Sequence, residues 1–246
     1  YPFAYDWRQP LQIIEGQLAD SVNEVIERTL LLRHYVKSGY GNDPRVDLVG
    51  HSMGGLIIAG YLKAKGQAAR VGKVATLGTP YQGSFEAPIK VLTGTASLGT
   101  SEQNSREREA ARLTPALYHL LPRFQGAVLD PSNTDVNLYQ VESWQQGVLD
   151  TLSEFIRLNA VDPPKNKAEL QTAAREVLRA ILTQASQHRD KIDGFKLSDA
   201  GMDAKRWLCV VGVDSETRVR LRMEKDSRGN PRFKLSSDDR ANDWKP

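Results

Sequence analysis

The sequence has very little cysteine. Cys209 is the only one in 246 residues, so no disulfide can form within the chain. It lies in the apolar run Trp207-Leu208-Cys209-Val210-Val211, which predicts a buried structural thiol rather than a reactive one. No stretch is long and apolar enough to span a membrane, and no signal peptide is visible. Because the chain starts with Tyr1 rather than Met, we expect the native N-terminus to precede it, which leaves the compartment open.

A strong excess of one charge is also lacking. The formal net charge is +3, from 33 basic and 30 acidic residues, which is too small to argue for a nucleic-acid partner. The two signs are interleaved, as in Arg106-Glu107-Arg108-Glu109, which is typical of a solvated face. With 40% hydrophobic residues, the chain is long enough for one domain with an insertion.

The first third of the chain alternates between short apolar strands and helices. An apolar residue at every fourth position predicts a helix over Gln17–Ser38, with Gly39 as a stop signal. This alternation predicts an α/β fold, with a mostly parallel sheet and helices on both faces. The other expected elements are the end of a strand at Tyr1–Trp7, strands at Val46–Val49 and Lys73–Leu77, and a helix at Gly54–Lys65 with Gly66 as C-cap.

The middle of the chain has a different pattern. From Ser84 to about Arg206 no convincing strand is found, which predicts a mostly helical insertion. One helix is expected over Asn166–His188, with Asn166 and Glu169 placed as a capping box. Its apolar stripe consists of Leu170, Ala174, Val177, Leu178, Ile181 and Leu182.

The last part of the chain returns to strands. Trp207–Val213 fits the sheet pattern, and Arg218–Met223 alternates between apolar and basic residues. A turn at Asp226–Pro231 and a partner strand at Phe233–Leu235 predict an antiparallel hairpin. We therefore divide the chain into a first part of the core (1–83), a helical insertion (84–206), and a returning core strand with its hairpin (207–246).

The run Gly50-His51-Ser52-Met53-Gly54 has the Gly-x-Ser-x-Gly spacing. This motif exposes a nucleophilic serine on a sharp turn between a strand and a helix, and here a predicted strand precedes it and a predicted helix follows. Gly50 and Gly54 are expected to form this nucleophile elbow, because the strand and helix approach closely there. The backbone N–H of Met53 would donate one hydrogen bond to the oxyanion. We therefore predict Ser52 as the catalytic nucleophile.

A serine nucleophile needs a base, and none of the four histidines fits well. His51 diverges from the Ser52 hydroxyl at the tight turn. His34 precedes the serine, whereas the motif's usual order is serine, acid, histidine. His119 and His188 lie in the helical insertion, where a histidine on a helix face is usually structural. The catalytic histidine is therefore expected outside this sequence.

The acid is also open. Asp214 directly follows a predicted strand, and three more aspartates follow the hairpin, namely Asp238, Asp239 and Asp243. Each of the four is also typical of a turn or a helix cap, and that interpretation is the more favoured one.

Three runs together resemble the lecithin:cholesterol acyltransferase family. They are Tyr5-Asp6-Trp7-Arg8, Gly50–Gly55, and Thr76-Leu77-Gly78-Thr79-Pro80 followed by Gln82-Gly83-Ser84. The run Leu117-Tyr118-His119-Leu120-Leu121-Pro122 is similar to the lid region of that family. The resemblance is clear from Tyr1 to Pro122, faint through the insertion, and resumes at Trp207.

The resemblance implies an α/β-hydrolase fold with a lid and a Ser-Asp-His triad. It also implies acyl transfer or hydrolysis of a lipid ester through an acyl-enzyme, with no cofactor or metal. The family's acid and histidine would follow Pro246, so residues 1–246 alone are expected to be inactive. Asp6 and Arg8 are interpreted as a structural ion pair.

Several alternatives stay open. The apolar stripe of the long helix either packs on the sheet or belongs to a lid that touches a lipid surface transiently. The chain could instead be a general carboxylesterase for small soluble esters, or an α/β-hydrolase-fold binding module without catalysis.

Overall fold

The computed structural model describes residues 1–95, 105–235 and 240–241, and it divides into two compact units. The first unit comprises Tyr1–Tyr81 and Gln187–Gly212, and the second comprises Gln82–Ser186 and Val213–Pro246. The helices are α1 (Leu11–Leu30), α2 (Arg33–Lys37), α3 (Met53–Lys65), α4 (Glu86–Thr93), α5 (Ser105–Leu113), α6 (Pro115–His119), α7 (Gln146–Asn159) and α8 (Lys167–Asp193). The strands are β1 (Val46–His51), β2 (Val71–Leu77), β3 (Val128–Leu129), β4 (Trp207–Val210), β5 (Thr217–Arg218), β6 (Leu221–Lys225), β7 (Pro231–Lys234) and β8 (Arg240–Ala241).

The first unit is built on a parallel sheet in the order β1-β2-β4. Gly50 pairs with Thr76, and Leu77 pairs with both His51 and Val210, so the three strands end at a common edge. This confirms the parallel sheet expected from the alternation of strands and helices. The division of the chain into a first part of the core (1–83), a helical insertion (84–206) and a returning core segment (207–246) stays a prediction.

Helices α1 and α3 pack against each other and against this sheet. The four-residue stripe predicted the buried face of α1, but the helix begins earlier, at Leu11, because Leu11 and Ile14 continue the stripe and are fully buried. It ends at Leu30, where the N–H groups of Leu31 and Leu32 donate to the carbonyl oxygens of Arg28 and Thr29, three residues earlier, and tighten the last turn. The expected single helix to Ser38 is therefore two helices, and Gly39 (φ 82°) ends the second one.

Two further expectations about the first unit are wrong. Tyr1–Trp7 is not a strand, since β1 hydrogen-bonds only to β2 among the described strands and leaves this segment without a partner. Cys209 is exposed rather than buried, because β4 is an edge strand in the described part of the chain. Its Sγ accepts a hydrogen bond from Thr76 Oγ1 at 3.5 Å.

The second unit is mostly helical, as the sequence predicted. In the described residues its core includes fully buried Tyr118, Leu121 and Leu152. The predicted hairpin is confirmed, with Met223 opposite Phe233, but its first strand is Leu221–Lys225 rather than Arg218–Met223. Arg218 instead belongs to β5, which pairs with β8. Two strands were missed, Val128–Leu129, which pairs in parallel with β6, and Arg240–Ala241, which pairs with β5. Two residues are too short for an alternation to be seen.

The apolar stripe of α8 lies mainly inside this core. Ala174, Leu178 and Leu182 are fully buried, whereas Val177 is exposed. The predicted N-terminal cap is present, since the Glu169 N–H donates to Asn166 Oδ1 at 2.9 Å. The stripe therefore packs within the second unit, which favours the packing interpretation over a face that is open to lipid.

A buried arginine holds the helices of the second unit together. Arg112 donates to the carbonyl oxygens of Val91, Leu92 and Gly147, and its own carbonyl accepts the Tyr118 hydroxyl at 2.7 Å. Its guanidinium also reaches Thr151 Oγ1 at 2.7 Å. Burial lowers the pKa of Arg112 and raises that of Tyr118. Because no carboxylate is among these partners, the arginine acts here as a multiple donor that caps the end of α4.

Candidate active site

Ser52 lies on a sharp turn between β1 and α3. The strand ends at His51 and the helix begins at Met53, and Ser52 between them has φ 52° and ψ −124°. A positive φ is unfavourable for a residue with a Cβ atom, and such strain is found mostly at functional sites. The turn therefore holds Ser52 in a backbone conformation that a residue with a Cβ atom would normally avoid.

Hydrogen bonds fix this turn on both sides. The Ser52 N–H donates to the Leu77 carbonyl oxygen at 2.8 Å, which ties the turn to the end of β2. The Gly55 N–H donates to the Ser52 carbonyl oxygen at 3.2 Å and closes the first turn of α3. The backbone around Ser52 is thus held by the neighbouring strand and by the following helix.

Glycines let the strand and helix approach each other closely. A Cβ atom on Gly50 would lie 2.8 Å from the Gly54 carbonyl carbon, and one on Gly55 would lie 2.0 Å from Thr79 Oγ1. Around Gly54 no atom lies within 4 Å of such a Cβ. The expected close approach therefore exists at Gly50 and Gly55, whereas packing does not require glycine at position 54.

The start of α3 provides donors and a favourable field beside Ser52. Met53 is the first helical residue, and the first N–H groups of a helix have no partner within it. The aligned peptide dipoles also place partial positive charge at this end. Among the described residues the Ser52 hydroxyl makes no hydrogen bond. The start of α3 thus leaves backbone N–H donors beside a serine hydroxyl that no described neighbour holds.

The histidines lie in four different settings. His51 is exposed at the end of β1, and His34 is exposed in α2. His119 is buried at the end of α6. His188 is buried in α8, where its Nε2 contacts Glu15 Oε1 of α1.

The Glu15–His188 pair was not foreseen from the sequence. Both residues are largely buried, and a Cβ atom on Gly60 of α3 would overlap the Glu15 carboxyl group. The pair therefore sits at the junction of α1, α3 and α8. Glu15 occupies an inward position of the α1 stripe that an apolar residue would normally fill, and this was the signal that could have revealed it. Arg189, which follows His188 in α8, is also buried and donates to the Tyr81 carbonyl oxygen.

Of the four acid candidates, Asp214 lies among the described residues. Asp214 is exposed with φ 61° and follows β4 by four residues, while Asp238, Asp239 and Asp243 lie outside the described residues. The exposed Asp6–Arg8 pair is confirmed as an ion pair, with Nε–Oδ1 and Nη2–Oδ2 distances of 2.8 and 2.9 Å. Hydrogen bonds from Arg8 lower the pKa of the Asp6 carboxyl group.

Neither a metal site nor a membrane span emerges from the part of the chain that the structure covers. The described residues contain no group of three or more histidine, cysteine, aspartate or glutamate side chains that could hold a metal ion. None of the described helices is long and apolar enough to cross a bilayer.

Comparison with known proteins identifies the family of the chain. The model of the family described as lecithin:cholesterol acyltransferase matches residues 2–173, which is most of the chain and includes the Ser52 turn. The chain belongs to the lecithin:cholesterol acyltransferase family. This confirms the resemblance carried by the Tyr5–Arg8, Gly50–Gly55 and Thr76–Pro80 runs. None of the curated proteins matches the chain.

A solved structure has a fold similar to that of this lecithin:cholesterol acyltransferase family member. A chain of the crystal structure described as the Tle4–Tli4 complex superposes with a TM-score of 0.60 at 17% sequence identity. The match covers 90% of this chain and 46% of that one, so the chain spans about half the length of this neighbour. With its parallel sheet and flanking helices, the chain has an α/β-hydrolase fold.

The segment that resembles the family's lid region lies within the second unit. Leu117, Tyr118 and Leu121 are buried in the core of that unit, and Leu120 is partly buried. The Ser84 N–H also donates to the Leu120 carbonyl oxygen at 2.8 Å, which anchors the segment. A lid role for this segment stays a prediction.

Proposed function

We propose that this chain carries the nucleophile of a serine enzyme that transfers or hydrolyses the acyl group of a lipid ester. The observation that carries the proposal is the strained backbone of Ser52, between the end of β1 and the start of α3, in a member of the lecithin:cholesterol acyltransferase family. Unfavourable backbone geometry persists only where the surroundings impose it. Here it supports a serine that is placed on the turn for catalysis.

The chemistry follows from the position of Ser52. Its Oγ attacks the ester carbonyl carbon while a general base takes its proton, and the carbonyl oxygen becomes an oxyanion. The Met53 N–H and the N-terminal end of α3 stabilise this charge. The base returns its proton to the leaving oxygen as the ester C–O bond breaks. An alcohol, such as a lysolipid, is released, and the acyl group stays on Ser52. A second alcohol, or water, then takes the acyl group from the serine. The base and the acid are those of the triad that family membership implies.

The substrate class is argued from family membership, because the turn itself serves any ester. A lipid ester is therefore preferred over the small soluble ester of a general carboxylesterase. A binding module without catalysis is the remaining alternative, and it differs from both enzymes by the absence of turnover.

Turnover of matched esters tests the proposal. The full-length protein is incubated with vesicles of a long-chain phosphatidylcholine carrying a fluorescent acyl group, and separately with a soluble short-chain ester of the same fluorophore. Acyl release or transfer from the lipid at a higher kcat/KM than from the soluble ester, and its loss in Ser52→Ala, is the expected result. A preference for the soluble ester would indicate the carboxylesterase, and no turnover of either would indicate the binding module.

A further inference from the structure

An exposed apolar segment lies at the turn between α1 and α2. Leu31 is 84% exposed, and Leu32, Tyr35 and Val36 are each more than two-fifths exposed. Single exposed apolar residues are common, but four within six positions form a continuous patch of a kind that usually contacts something. The helix α2 has no buried residue at all, so these side chains do not serve the core of the first unit.

The charged residues inside this segment are all basic, and the acidic residues Glu27 and Asp43 border it. Between Arg28 and Asn42 the sequence contains no aspartate or glutamate, while Arg33 and Lys37 lie within the patch and are exposed. Arg28 is paired with Glu24 one turn earlier on α1 at 2.6 Å, so its charge is largely balanced. We call Leu31, Leu32, Tyr35 and Val36, together with Arg33 and Lys37, the basic apolar patch.

We propose that the basic apolar patch binds an anionic lipid surface. Apolar side chains beside lysine and arginine are the combination that lies at the interface of a membrane, with the apolar groups at the acyl boundary and the cations at the headgroups. A tyrosine suits the same depth, because its ring is apolar and its hydroxyl polar. The Tyr35 ring contacts the rings of His34 and Tyr40, which orders the patch.

The position of the patch leaves the Ser52 turn uncovered. Tyr35 lies beside the first residues of β1 in a groove shared with Val46 and Leu48, whereas Ser52 follows the last residue of that strand. Six strand residues span about 20 Å, so the patch and the serine lie at opposite ends of β1. The patch therefore acts as a tether. This inference rests on the proposed function in one respect. A membrane is proposed as the surface because lipid esters are presented at membranes.

The test is co-sedimentation of the full-length protein with vesicles of phosphatidylcholine alone and of phosphatidylcholine mixed with phosphatidylserine. We compare wild type with Arg33→Gln/Lys37→Gln and with Leu31→Ser/Leu32→Ser. The control is Leu158→Ser/Val161→Ser, which removes two exposed apolar residues of α7 and the following loop in the second unit. Thermal unfolding shows that each variant is folded.

Wild type should bind the phosphatidylserine vesicles more tightly than those of phosphatidylcholine alone, with binding that weakens as salt is added. Loss of the two cations should lower partitioning onto the anionic vesicles roughly 30-fold, at about 1 kcal/mol for each cation. The leucine variant should lose about tenfold on both kinds of vesicle, and the control should bind as wild type.

Three results would overturn the proposal. They are equal binding by patch variants and wild type, no vesicle binding by wild type, or a wild-type dimer that the leucine variant converts to monomer, which would assign the patch to a second copy of the chain. Labelling of Ser52 by a soluble fluorophosphonate is measured in parallel. If the patch fails its test while labelling persists, the proposed function stands and only the tether is lost.

Discussion

Gly55 in the first turn of α3 faces Thr79 so closely that a Cβ atom on the glycine would lie 2.0 Å from the threonine Oγ1. Thr79 follows β2, and Ser52 precedes α3, so this contact fixes the start of the helix against the loop beside it. Replacing Gly55 with alanine should therefore push Thr79 away or tilt the helix. We expect the free energy of unfolding to fall by about 1–3 kcal/mol, measured by urea denaturation.

The neighbouring glycine provides the matched control. A Cβ atom on Gly54 would meet no atom within 4 Å, and the residue lies in the same helical turn. Gly54→Ala should leave stability unchanged or raise it by up to about 1 kcal/mol, because alanine favours the helix. Equal losses from both substitutions would show that the contact with Thr79 is not what requires a glycine.

The strain at Ser52 should be measurable as a difference between two substitutions. Alanine keeps the Cβ atom that makes φ 52° unfavourable, whereas glycine removes it. Glycine also loses more backbone entropy on folding, which offsets about 0.5–1 kcal/mol of the relief. We expect Ser52→Gly to be more stable than Ser52→Ala by about 1 kcal/mol in urea unfolding. A Ser52→Gly protein that is no more stable would mean that the backbone is not strained.

The buried Glu15–His188 pair should contribute far more than a surface pair on the same helix. Glu15→Ala leaves His188 buried without its carboxylate partner, so we expect a loss of about 2–4 kcal/mol. Glu24→Ala removes the exposed pair with Arg28 and should change stability by less than about 0.5 kcal/mol. A double-mutant cycle with His188→Gln should give a coupling of about 1–3 kcal/mol.

The variant His188→Gln also tests whether His188 is the base for Ser52. If it is structural, His188→Gln will lower stability and leave labelling of Ser52 by a fluorophosphonate intact at a temperature where the variant is folded. Loss of labelling in a folded His188→Gln protein would assign His188 to catalysis and refute the structural role.

Arg112 should matter through its geometry rather than its charge. Its fork reaches three carbonyl oxygens at once, and Arg112→Met would leave those of Val91 and Leu92 buried without this donor. We expect a loss of about 3 kcal/mol in the free energy of unfolding. Arg112→Lys should recover less than half of it, because one ammonium cannot replace a planar fork. Full recovery by lysine would show that the positive charge suffices.

Much of the core and of the candidate site could be predicted because its signals are local. The strand before Ser52, the helix after it, and Gly66 as its cap all follow from neighbouring residues. The Gly39 stop and the hairpin from Leu221 to Lys234 are of the same kind. In each case the residues that carry the pattern also form the element.

The features that were missed depend on partners distant in sequence. Cys209 lies in an apolar run that is typical of a buried strand. It is nevertheless exposed, because β4 is paired on one side only in the described sheet. The strand at Val128–Leu129 exists only because β6 lies beside it. Likewise, nothing near Glu15 in the sequence indicates that its partner is His188. Periodicity describes one face of one element, and it does not identify what covers that face.

The most direct test of the central claim is labelling of the full-length protein with a fluorophosphonate probe, with the modified peptide mapped by mass spectrometry. We predict a single adduct on Ser52, no labelling in Ser52→Ala, and loss of lipid ester turnover in proportion to the labelled fraction. An adduct on another residue, or labelling that survives in Ser52→Ala, would contradict the assignment of Ser52 as the nucleophile.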